Sequence, residues 1–149
     1  LSEISEQAAK ALGDALGAEH AALWVYGLAN AFVGEARVRS AIEEAVDAHT
    51  RLRDTAEQAM RQAGLTPTPA QPAYDVGGDV ADQSKAIELL ITTESDCQVG
   101  WRSVLDSTED AGMRSAALDG LTTSATRATR WRLTLGRQPA AEKFPGQRA

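Results

Sequence analysis

The chain has 149 residues, 43% of them hydrophobic, a formal charge of −6 and one cysteine, Cys97. That size and apolar content suit one domain with its own core, and the acidic balance argues against a dedicated nucleic-acid binder. A lone cysteine excludes an internal disulfide or a cysteine-rich metal cluster and suits a reducing compartment, the cytoplasm, while no apolar run approaches the roughly 18 residues of a membrane span and no signal-peptide pattern opens the chain.

Helix 1 is expected to start behind Ser2 as N-cap, with Glu3 and Glu6 at the positive end of its dipole, and to persist to about Ala31 or Phe32. Leu12, Leu16, Leu23 and Tyr26 recur at helical spacing, and Glu19 falls on the same stripe. A carboxylate in a core position is costly unless it is paired, neutralised or bound to a metal. Gly13, Gly17 and Gly27 each cost about 1 kcal/mol against alanine inside a helix, which implies close packing against a neighbour.

From Glu35 a second helix presents Val38, Ile42, Ala45, His49, Leu52, Ala56 and Ala59 on one face, so a histidine interrupts that stripe too. Gly64 is placed to stop it as a left-handed C-terminal residue, with Pro67 just beyond. Residues 65–79 contain Pro67, Pro69, Pro72, Gly77 and Gly78 and no periodicity. At about 3.3 Å per residue this segment reaches roughly 50 Å, enough to pass helices about 40 Å long and start helix 3 at the opposite end. Asp79, with Asp82 behind it, marks that start, and the spacing of Asp75, Asp79 and Asp82 misses the EF-hand pattern, which favours capping over calcium.

Helix 3 carries Ile87, Leu90, Glu94, Cys97, Trp101 and Val104 along one face, placing a second glutamate in a core position. Residues 107–110 form a turn with a fresh N-cap. Helix 4 is expected to turn Ala117, Leu118, Leu121, Ala125, Ala128 and Leu135 inward and to end near Gly136 and Pro139. The fold expected is all-α: a four-helix bundle over residues 1–136, two antiparallel hairpins joined by a long crossover, with an aperiodic tail over 137–149 that is either laid on the surface or disordered.

Glu19, His49 and Glu94 each lie near the middle of their helix, and antiparallel helices of matched length bring their midpoints to one depth. Three polar side chains from three helices therefore converge in the core. Glutamate oxygens and an imidazole nitrogen suit iron, manganese or zinc better than calcium. His20 falls on a flank, and Cys97 reads as a buried inert thiol. Trp24, Trp101 and Trp131 read as packing rather than a ligand pocket. The basic run Arg127, Arg130, Arg132, Arg137 complements the negative end of helix 4, with anion or nucleic-acid binding the weaker reading.

Ala18-Glu19-His20-Ala21-Ala22, Ala48-His49-Thr50-Arg51-Leu52-Arg53-Asp54, Pro69-Ala70-Gln71-Pro72-Ala73-Tyr74, Arg130-Trp131-Arg132 and Phe144-Pro145-Gly146 follow one another over nearly the whole chain. In that order and spacing the chain resembles the ferritin-like superfamily, and more closely an actinobacterial family of ferritin-like domains with no assigned function. The resemblance implies a packed Phe-Pro-Gly tail and pairing into a homodimer, for which Ala8, Ala15, Ala22 and Gly27 offer small-residue faces.

Di-iron members of that superfamily use a glutamate on the first and third helices and Glu-x-x-His on the second and fourth. Glu19, His49 and Glu94 match three of those ligands. Val46 stands where the second-helix glutamate should be, and helix 4 has no histidine, only Asp119, Thr122, Thr123 and Ser124 near its middle. Oxygen-activating di-iron chemistry is therefore not expected. Two readings remain: a hydrogen-bonded polar cluster with Arg53 or Arg127 as counter-charge, left from a degenerate metal site, or a single metal on Glu19, His49 and Glu94. The first is preferred, because one imidazole and two carboxylates can neutralise each other. It makes the chain a non-catalytic helical domain acting by interaction or small-ligand binding; the alternative is a metal-binding protein or mononuclear metalloenzyme.

Overall fold

Helices begin where an oxygen is available for their free amide groups. The computed structural model describes residues 4–148. Ser5 accepts from the Ala8 amide at 3.1 Å and opens α1 (Glu6–Asn30), so the cap is Ser5; Ser2 lies outside the described residues. Helix α2 (Ala36–Gln62) has no side-chain cap of its own, and Gln83 Oε1 accepts instead from the Gly34 and Glu35 amides, at 3.2 and 3.4 Å. Asp82, not Asp79, caps α3 (Gln83–Ser107) through the Lys85 amide, and Asp110 caps α4 (Ala111–Thr134) through that of Met113. Aspartate succeeds at 82 because its carboxylate reaches the amide three residues on.

The α2 C-terminus closes as expected: Gly64 sits at φ +75°, and the Leu65 amide donates back to the Met60 carbonyl at 2.9 Å. Helix α1 packs on α2 and α3, and α4 packs on α3 and more thinly on α2. All four packed pairs run antiparallel, because the crossover travels the length of the bundle and sets α3 parallel to α2, its diagonal neighbour. It does so as a strap on α1. Thr68 donates to the Gly13 carbonyl at 2.9 Å near one end, and Tyr74 lies against Trp24 with ring centroids 6.0 Å apart farther along. The three aspartates serve the chain rather than an ion: Asp75 closes a turn on the Gly77 amide and Asp82 caps, while Asp79 is exposed.

Two apolar clusters fill the interior. One gathers Tyr26, Ile42, Ile87, Leu90 and Trp131, the other Leu12, Leu16, Leu52, Trp101 and Val104. Between them lies a layer of buried Glu19, His49, Glu94, Gln98 and Ser124. Helix α4 is rotated from the expected face. Its buried stripe is Ala117, Gly120, Ser124, Ala128 and Trp131, while Leu118 is 57% exposed and Leu121, Ala125 and Leu135 are half-buried. The reason is steric: the indole of Trp101 presses on Gly120, where a Cβ would lie 2.6 Å from the ring. Likewise Ala22, not Leu23, continues the α1 stripe.

Of the three α1 glycines, Gly13 meets Thr68 of the strap and Gly17 grazes it, but Gly27 faces open space. Ala8, Ala15 and Ala22 are buried within the bundle, so they do not form an outer face for a second chain. In the tail, Pro145 and Gly146 lie against α3: Arg102 donates to the Pro145 carbonyl at 3.2 Å, and Gly146 is buried. Phe144 itself is 66% exposed. Among the described residues, no helix is long and apolar enough to cross a membrane.

Candidate functional site

His49 stands at the centre of the polar layer, brought there by the Val38-Ile42-Ala45-His49-Leu52 stripe of α2. Its Nδ1 meets Glu19 Oε2 at 2.6 Å and its Nε2 meets Glu94 Oε1 at 2.9 Å. All three residues are at most 1% exposed. The sequence expectation that α1, α2 and α3 deliver these side chains to one level holds in the structure, and the carboxylates grip opposite edges of the imidazole. A carboxylate accepts and does not donate, so both ring nitrogens carry protons. Burial opposes the charged ring, but the hydrogen bonds to Glu19 and Glu94 and their charges outweigh it, raising the His49 pKa from 6.5 to about 10.

Aromatic side chains complete the network from both apolar clusters. Trp101 Nε1 donates to Glu19 Oε1 at 2.8 Å, and the Tyr26 hydroxyl donates to Glu94 Oε1 at 2.6 Å. Trp131 Nε1 in turn donates to the Tyr26 oxygen at 2.8 Å. Burial pushes the Tyr26 hydroxyl pKa well above its ordinary value, reinforced by the Glu94 charge, so it remains a donor. Tyr26, Trp101 and Trp131, which the sequence presents as packing, carry polar contacts too. For two of them the spacing is a signal: Tyr26 follows Glu19 by seven residues, and Trp101 follows Glu94 by seven, which places each on the same helix face as that glutamate.

Arg127 supplies the counter-charge, with Nε 3.7 Å from Glu94 Oε1. Arg53 does not; it pairs with Asp54 near the surface. Of the remaining basic run, Arg132 binds Glu142 and the Ala140 carbonyl, and Arg137 binds Glu88, so those charges are engaged within the chain. His20 lies outside the cluster, with Nε2 2.9 Å from the Thr68 carbonyl, and ties α1 to the strap. Cys97 is buried on the core face of α3, as its spacing implies, but it also comes beside His49, and Glu19, His49 and Cys97 offer ligand atoms that all lie within 4.8 Å of one another. Burial, then the charges of Glu19 and Glu94, push its thiol pKa well up, so it is held protonated.

As a metal centre this donor set fits poorly. Each carboxylate addresses a different nitrogen of the imidazole, both nitrogens are protonated, and Glu19 has both oxygens engaged. A cation would also meet the Arg127 guanidinium at Glu94. Ligation would require the imidazolium and thiol protons to leave and the side chains to turn.

A cleft of about 860 Å³ opens on the other side of Trp101, between α1, α2 and α4, walled by Leu12, Ala56, Ala59 and Met113 and rimmed by Gln58 and Asp110.

The crystal structure of a conserved hypothetical protein, rv2844, from Mycobacterium tuberculosis superimposes with a TM-score of 0.84 at 32% identity, covering 93% of this chain and 97% of that one. No curated protein matches the chain. The family model described as a domain of unknown function, DUF4439, matches residues 11–149, and the chain belongs to that family.

Proposed function

We propose that this protein is a non-catalytic bundle of ferritin-like ancestry in which a former metal position has become an internal ion-paired layer, and that it acts by binding a small ligand. The observation that carries the first half is His49, whose two ring nitrogens are both spent on opposed carboxylates. The cleft floored by Trp101 supports the second, since about 860 Å³ lined by Leu12, Ala56, Ala59 and Met113 together with Thr55, Gln58 and Asp110 matches the volume of a small-molecule site. Protein purified without added metal is expected to hold far less than one equivalent of iron, manganese or zinc by elemental analysis. Stoichiometric, tightly bound metal overturns the reading. A ligand of the cleft raises the Tm of the wild type and not that of Ala116→Trp, which fills it.

A second reading rests on one observation, the convergence of Glu19, His49 and Cys97 within 4.8 Å. Those three would offer oxygen, nitrogen and sulfur to zinc or iron, with Glu94 close by, once their protons are displaced. Zinc affinity that rises steeply with pH and disappears in Cys97→Ser favours it. The homodimer expected from the resemblance would have to use a face other than Ala8, Ala15 and Ala22; exposed Leu118 and Leu133 on α4 are the apolar alternative.

A further inference from the structure

Among the described residues, four buried side-chain polar atoms in and beside the layer have no hydrogen-bond partner: Glu94 Oε2, Gln98 Nε2, Ser124 Oγ and Arg127 Nε. They belong to one place. Glu94 and Gln98 stand one turn apart on α3, Ser124 and Arg127 one turn apart on α4, and those helices pack antiparallel with Trp101 against Gly120. The same register sets Ser124 opposite Cys97 and Gln98, and Arg127 opposite Glu94, where the 3.7 Å approach is seen. Glu94, Gln98 and Ser124 are each at most 1% exposed. Buried polar atoms are almost always satisfied, so four orphans at one seam mark a place where a partner sits.

The chemistry of the four atoms defines that partner. Glu94 Oε2 needs a donor, the Gln98 amide and Arg127 Nε need acceptors, and the Ser124 hydroxyl can serve either way. A cation would face Arg127 and an anion would face Glu94, whereas the two charges offset each other for a neutral guest. We propose that the α3/α4 seam is a binding site for ordered water, one or two molecules that complete the shell of Glu94. Gln98 also lines a cavity of about 320 Å³ beneath the tail, together with Thr129, Glu142 and Pro145, and this gives the seam a route for exchange with solvent. Glu94 turns Oε1 to His49 and Oε2 to the seam, so the site adjoins the His49 pairing through that one carboxylate.

Water-oxygen magnetic relaxation dispersion on the full chain counts long-lived internal waters, and Ser124→Ala and Gln98→Met test the seam directly. The expected result is at least one long-lived water in the wild type that is lost in the double variant, with each single variant lowering the Tm by roughly 3 °C or more. A dry seam behaves oppositely, because deleting an orphaned polar atom relieves its desolvation. No long-lived water, or variants with a Tm at or above the wild type, overturns the proposal. A small neutral organic molecule seen in place of water by native mass spectrometry also overturns it.

Discussion

His49 is held between two buried carboxylates, and such an arrangement is more costly to break than to replace. His49→Leu leaves Glu19 and Glu94 facing one another without a cation between them, and is expected to cost about 3–5 kcal/mol in urea denaturation. The triple variant Glu19→Met, His49→Leu, Glu94→Met removes charge and counter-charge together and should recover most of that loss. A triple variant no more stable than His49→Leu would count against the ion-paired reading.

The pH dependence has a definite sign. Because the His49 pKa is raised from 6.5 to about 10 on folding, the native state holds an extra proton between those values. Its contribution is complete below pH 6.5 and is lost as pH rises toward 10, by up to about 1.4 kcal/mol per pH unit. The raised thiol of Cys97 and hydroxyl of Tyr26 act in the same direction at the alkaline end of that window and above it. Urea midpoints should therefore fall steadily between pH 7 and pH 9.5, and a flat profile would contradict a protonated ring.

At the scale of elements, the helices are positioned by small residues as much as by large ones. Gly120 accommodates the Trp101 indole, and a Cβ there would sit 2.6 Å from three ring atoms. Gly120→Ala is expected to destabilise by about 1–3 kcal/mol, because the ring is fixed by its bond to Glu19 and cannot move aside freely. Gly27→Ala should do the reverse, gaining about 0.5–1 kcal/mol, since the added methyl meets nothing within 4 Å and only stiffens the helix. Thermal melts of the two variants, shifted in opposite directions, would check both. Cross-element capping of α2 by Gln83 has a similar lesson. The hairpins are joined at their ends as well as through the layer, and Gln83→Ala removes a cap that no residue of α2 supplies.

For the whole molecule, segments outside the helices act as fasteners. The crossover is held along α1 by Thr68 and His20, and the tail by Pro145 and Gly146 on α3. Gly146 combines φ +75° with a would-be Cβ 2.6 Å from the Gln98 carbonyl, so Gly146→Ala should release the tail while the bundle stays folded. Faster amide exchange confined to residues after α4, with unchanged far-UV circular dichroism, is the expected signature. The tail roofs the cavity beside Gln98, so its release should also speed water exchange at the seam.

Periodicity by itself determined four helices, the crossover and the level at which Glu19, His49 and Glu94 meet. Spacing of 3.6 residues, chain length and helix midpoints are local or additive quantities, and a linear chain displays them. Only tertiary packing decided which carboxylate takes which nitrogen, that Arg127 and not Arg53 is the counter-charge, and that α4 turns Ser124 inward and Leu118 out. Those outcomes depend on the rotation of each helix about its own axis. That rotation is set by contacts such as Trp101 on Gly120, between residues far apart along the chain, so the periodicity of one helix cannot reveal it.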